Sequence, residues 1–162
     1  MSSFAPVRRA RVLWAAVIAA LCFVSVGACS PSEPTDRLDI ITADGTHHSF
    51  HIELAAKPAE RERGLMYRQS LAADTGMLFD FGEDRLVSMW MKNTFIPLDM
   101  LFITRDGTVV TIAANTVPQS LDTISSGRPV RAVLEIKGGE AARQGIASGA
   151  RVMHPLFSGG GR

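Results

Sequence analysis

Two Asp-Gly dipeptides, Asp44-Gly45 and Asp106-Gly107, each lie between short stretches rich in β-branched and aromatic residues. Such a pair readily adopts the positive φ that tight hairpin turns require, so each predicts two antiparallel strands. The first joins Leu38–Thr42 to His47–Leu54. In the second of these, His48, Phe50, Ile52 and Leu54 share one face, and His47, Ser49, His51 and Glu53 the other. The second dipeptide joins a strand ending at Ile103-Thr104 to Thr108–Ala113. Further strands are predicted at Gly76–Phe81, Val130–Ile136 and Ala150–Met153, with a long polar loop over Asn115–Gly127. Lys57–Met66 reads as a helix with Pro58 in its first turn and Gly64 ending or tightening it. A second short helix is predicted from Gly139 to Gln144, closed by Gly145. Many short strands with two short helices predict a mainly β chain, folded as a single compact β-sandwich or barrel.

The first 28 residues have a different character. Arg8, Arg9 and Arg11 precede an apolar run from Val12 to Val26, the pattern of a secretory signal peptide and too short for a settled membrane span. Val26-Gly27-Ala28-Cys29 resembles the lipobox, which predicts acylation of Cys29; ordinary cleavage after Ala28 is the alternative. Ser30 resembles the sorting signal for the outer membrane rather than the inner. The expected organisation is a signal peptide over 1–28, a lipidated N-terminus and tether over 29–37, one domain over 38–154 and a flexible tail over 155–162. The expected location is the periplasmic face of the envelope, with a membrane as partner through the lipid.

Losing three arginines and no acids takes the formal charge from +1 to −2. No basic face remains for nucleic acid, so a nucleic-acid partner is excluded. Cys22 leaves with the signal and Cys29 carries lipid, which excludes disulfides and thiol-based metal sites. His47 and His51 cannot share an ion on a strand, where they stand about 13 Å apart at ~3.3 Å per residue. Met89 and Met91 alternate onto one face and read as core filling. No cofactor is implied, and nothing fixes the oligomeric state.

Candidate site residues come from Val87–Phe102, which reads as two apolar arms interrupted by Lys92, Asn93 and Asp99. Burying such groups costs about 1–3 kcal/mol each unless partners satisfy them. Asp99 on its strand and Glu135 on the strand Val130–Ile136 both call for cations or backbone N–H groups. Lys92, Arg63, Arg68 and Arg131 are the available cations. One reading is a set of ion pairs and turn caps. The other is a pocket for a small polar, anionic or carbohydrate-like ligand formed by Arg63, Arg68, Lys92, Asn93, Asp99 and Glu135, with Trp90 as a stacking platform. A glycan-active enzyme using Asp99 and Glu135, about 5–9 Å apart, is a third. No Gly-x-Ser-x-Gly elbow, phosphate-cradling loop or Cys nucleophile supports another enzyme class. A non-catalytic interaction domain of the envelope is the remaining alternative.

Gly64-Leu65-Met66-Tyr67-Arg68, Gly76-Met77-Leu78-Phe79, Trp90-Met91-Lys92-Asn93-Thr94, Pro97-Leu98-Asp99 and Val133-Leu134-Glu135 resemble the bacterial and archaeal DUF192 family. The resemblance runs from about Leu38 to Met153, with Met89 where the family more often has an aromatic residue. It implies a jelly-roll-like β-sandwich and no established activity.

Overall fold

The structure, a computed structural model, describes Met1 and residues 36–158. The predicted signal peptide, Cys29 and nearly all of the tether lie outside the described residues. The chain order is β1 (Arg37–Ile41), β2 (His47–Ala55), α1 (Pro58–Arg63), β3 (Thr75–Arg85), β4 (Ser88–Met89), β5 (Leu98–Ile103), β6 (Val109–Ala113), β7 (Ile124–Ser125), β8 (Val130–Lys137), α2 (Glu140–Arg143) and β9 (Arg151–Met153). A single 3-10 turn, Pro155–Phe157, follows and buries Phe157.

The fold is mainly β with two short helices, as expected. Its strands form one seven-stranded sheet, ordered β6-β5-β8-β3-β2-β1-β9, and a two-stranded ribbon of β4 and β7. This replaces the two packed sheets of the expected jelly-roll sandwich. The large sheet curls until its edges meet: Thr108, just before β6, bridges Arg151 of β9. β2 and β3 run parallel because the chain between them crosses over through α1. The other pairings in the sheet are antiparallel.

The two Asp-Gly turns are built alike, as Thr-x-Asp-Gly-Thr. Asp44 accepts from Thr46 N (3.0 Å) and Asp106 from Thr104 Oγ1 (2.6 Å). These hydroxyl and amide bonds, led by those from Thr42 and Thr104, hold both carboxyls down at about 2. Gly107 has φ +84°, and a Cβ there would stand 2.5 Å from Val152 O, so this turn requires glycine where it meets β9.

Both faces of the sheet are buried along β3, β5 and β8, whereas β1, β2 and β9 leave most of their outer face exposed. Inside the curl, Leu38, Phe50, Leu78, Leu101, Leu134 and Ile136 pack with Ala141 and Ile146 around α2. Outside it, Met77, Phe79, Met100, Phe102 and Val133 pack under Leu65, Val87 and Met91. Strand alternation therefore decides which layer a side chain joins, and β5 and β8 supply both. α1 is shorter than predicted. Gly64 ends it at φ +47°, where a Cβ would press to 3.0 Å on the Phe79 ring.

The first arm of Val87–Phe102 is not a continuous strand. Only Ser88–Met89 pairs, with a ribbon strand hidden in the predicted 115–127 loop. Beyond Met89 the backbone groups go to that loop instead: Met91 N donates to Ser120 O (3.1 Å) and Gln119 N to Thr94 O (3.0 Å). The second arm is β5, as expected.

Candidate functional site

Asp99 and Glu135 lie on adjacent strands but on opposite faces. Asp99 stands opposite Ile136, and Glu135 opposite Met100. Asp99 points inside the curl with Leu101 and Ile103. There its carboxylate accepts from Asn115 N (2.7 Å), Gly139 N (3.0 Å) and Ala141 N (2.8 Å). It is fully buried, and it ties the chain after β6 to the start of α2. This corrects two expectations. Asp99 cannot bind a ligand, because backbone donors occupy it, and it cannot flank a glycosidic bond with Glu135, because the sheet separates them.

Glu135 points outward, between Met77 on β3 and Met100 on β5. It is 4 % exposed, and its carboxyl has no hydrogen-bond or ion-pair partner among the described residues. Burial raises its pKa to about 8, so at neutral pH it stands as a carboxylic acid with an O–H to donate.

A cleft of about 310 Å³ opens over this group, near the lower end of small-molecule sites. Glu135, Leu65 and Phe79 form its buried base, Met66 and Met89 its sides, and Glu62, Arg63, Trp90 and Lys92 its exposed rim. Arg63, Trp90, Lys92 and Glu135, expected to share a pocket, do meet here although they are far apart in the chain. α1 brings Arg63 over the sheet, and the segment after β4 brings Trp90 and Lys92 from the other side.

The cations here differ in commitment. Arg61 donates to Asp80 O (2.9 Å) and lies 5.7 Å over the Phe81 ring, so it braces the wall. Lys92 Nζ stands 4.9 Å from the centroid of the Trp90 ring. Neither Arg63 nor Lys92 has a carboxylate at ion-pair distance among the described residues. Two cations without a carboxylate partner among the described residues, one of them resting over Trp90, and a neutral acid thus face one space. Such a set can hold an oxyanion, with the cations supplying charge and Glu135 supplying a hydrogen bond.

The remaining expected residues lie elsewhere. Arg68 is bound by Glu53 through two bonds of 2.7 and 2.6 Å, which lower the Glu53 pKa, and it lines other depressions. Asn93 lies beside the cleft, at φ +56°, with Nδ2 donating to Tyr67 Oη (2.9 Å). Arg131 pairs with Asp80 at 3.0 Å. Tyr67, Met66 and Glu62 also line this region, and none of them belongs to the expected set. Tyr67 and Met66 sit in the same five-residue motif as Arg68, the only signal that could have found them.

The fold and this site define a curled β domain with a shallow, cation-rimmed cleft on its outer face. Residues 39–154 match the model of DUF192, described as an uncharacterized ACR, and the chain belongs to that family. None of the curated proteins matches it. Two crystal structures are similar. One, from Sinorhizobium meliloti 1021 and described as a "putative transcription regulator", is 52 % identical with a TM-score of 0.73, over 74 % of this chain and 93 % of that one. The other, a protein of unknown function from Novosphingobium aromaticivorans DSM 12444, is 41 % identical with a TM-score of 0.70, over 72 % of this chain and 83 % of that one.

Proposed function

We propose that this domain binds a small anionic ligand in the cleft above Glu135. One observation carries the reading: a buried carboxyl lies beneath two cations, and none of the three has a counter-ion among the described residues. The buried carboxyl costs stability in isolation, the two exposed cations do not, and an oxyanion between them gives all three a partner. Arg63 and Lys92 set the charge of the ligand, Glu135 donates to one of its oxygens, and Met66, Met89 and Trp90 contact its apolar part. In this reading the domain is exported, anchored by lipid at Cys29 and faces the periplasm. The basic, apolar and small-residue order of 1–29 supports that location.

Binding is tested by thermal shift of the protein against carboxylates, sugar acids, nucleotides and peptidoglycan fragments. A ligand at 100 times its Kd adds about 2.7 kcal/mol, a readily seen rise in Tm. Arg63→Ala and Lys92→Ala abolish the shift. A shift that both variants retain places the ligand elsewhere and sinks the cleft reading. For the anchor, Cys29→Ala moves the protein from the membrane fraction to the soluble fraction; an unchanged distribution removes that part.

A non-catalytic interaction domain is the second reading, favoured by the exposure of Leu86, Val117 and Leu121. It predicts that Val117→Ser with Leu121→Ser abolishes capture of an envelope partner.

A further inference from the structure

A second cleft, of about 410 Å³, adjoins the first and shares Glu62, Arg63, Met66, Trp90 and Lys92 with it. Its own additions include Tyr67 and Asn93. We infer that the two clefts are one groove for an acidic oligosaccharide, with a carboxylate-bearing sugar over Glu135 and the adjoining ring on Tyr67 and Trp90. The inference rests on the cleft reading above and adds the ligand class and a second subsite.

The outer cleft is held in an unusual shape. Tyr67, Asn93 and Gln119 all have positive φ, at 65°, 56° and 61°. That conformation costs an L-residue roughly 1–2 kcal/mol, and a bulky aromatic is a rare occupant. Three loops lock it in place. Tyr67 N donates to Asn93 O (2.8 Å), Asn93 Nδ2 returns a bond to Tyr67 Oη, and Gln119 N binds Thr94 O. The strain holds large rings at the surface rather than in the core: Tyr67 is 59 % and Trp90 48 % exposed. Backbone strain of this kind collects where a ligand needs a preset surface.

The chemistry of the groove selects among ligands. A pyranose presents apolar C–H faces to aromatic rings and hydroxyls to polar side chains, and here Asn93 and Glu62 stand beside Tyr67 and Trp90. A polyphosphate, charged along its whole length, offers no apolar face for Tyr67 and Trp90 to stack on. A peptide added as a strand needs a longer edge than the two residues of β4, Ser88–Met89, that line the inner cleft. A sugar acid matches the two cations and the neutral acid, and a further ring matches the aromatic pair.

Calorimetry on the full chain decides the matter, with galacturonate, tetragalacturonate and neutral maltotetraose as probes. Tetragalacturonate binds at least tenfold more tightly than galacturonate, and maltotetraose does not bind. Tyr67→Asn, which tolerates positive φ, brings tetragalacturonate down to the galacturonate value and leaves galacturonate unchanged. Trp90→Leu, an independent variant, also removes the preference, and circular dichroism checks that both fold. Equal affinity for the two uronates overturns the second subsite while the inner cleft stands. Binding of citrate or phosphate, lost in Arg63→Ala, without any uronate binding overturns the sugar class and keeps the cleft. Any uronate binding that Arg63→Ala leaves intact overturns both.

Discussion

Asp99 and Glu135 are buried carboxyls on neighbouring strands, one residue out of register, and their fates are opposite. Asp99 enters the inner layer and meets three backbone N–H groups. Glu135 enters the outer layer, meets two methionines across the sheet and opens onto a cleft. Burial by itself therefore says little about role. What separates a structural carboxyl from a candidate binding group is whether the protein has satisfied it.

Removing each group breaks the comparison most directly. Asp99→Ala leaves three buried or part-buried N–H donors without an acceptor, at about 1–3 kcal/mol each. The expected loss is on the order of 5 kcal/mol, enough to unfold a marginal domain, and urea denaturation measures it. Glu135→Leu removes a carboxyl that has nothing to lose and is neutral or stabilising at pH 7. A large loss in Glu135→Leu with little in Asp99→Ala would falsify the assignment of roles.

The pH dependence is the next largest effect. The Glu135 pKa is raised by burial from 4.5 to about 8, so between those values the folded chain holds a proton that the unfolded chain has released. Stability contributed by this group is full below pH 4.5 and falls as pH rises, at up to about 1.4 kcal/mol per pH unit, levelling off above pH 8. Arg61, Glu62, Arg63 and Lys92 are the charged side chains that line the same cleft. Glu135→Gln stays neutral throughout, so its stability between pH 5 and 8 lacks this decline. It also keeps an N–H donor for an anion, so its ligand affinity is flat with pH, while that of the natural protein weakens above pH 8. Parallel curves for the two proteins count against an uncharged Glu135.

Much of the frame was legible in the sequence. The Asp-Gly turns, the alternation in Val130–Ile136 and the glycine after α1 each act within a few residues, so local rules place them. Alternation along each strand puts Asp99 with Leu101 and Ile103, as observed, and Glu135 on the opposite face of β8 from Leu134. What it could not supply was how β5 sits beside β8, and that register is what turns the two carboxyls away from each other. The first arm failed for a similar reason. Met89, Met91 and Asn93 alternate like a strand, but Asn93 at positive φ and the bonds from Met91 and Thr94 to the 117–120 loop override the pattern. Met91 is core, as expected, while Met89 lines the cleft. The curl of the sheet rests on contacts between β6 and β9, more than forty residues apart, which no local pattern carries.

The cations repeat the contrast at a smaller scale. Arg68 is satisfied by Glu53, whereas Arg63, five residues earlier, has no carboxylate partner among the described residues. Both ends of the Arg68–Glu53 bridge are solvent-exposed, at 36 % and 56 %, so Coulomb attraction is screened and the net worth is small. Its two short parallel bonds place it at the upper end of that class. Arg68→Ala is expected to cost less than about 1 kcal/mol by urea denaturation, less still in 1 M salt, and to leave anion binding unchanged. Arg63→Ala reverses the signature, with stability within about 0.5 kcal/mol of the parent and anion affinity lost. If Arg68→Ala weakens binding as much as Arg63→Ala does, ion pairing within the protein does not separate structural cations from ligand-binding ones, and the contrast between Asp99 and Glu135 stops at carboxyls.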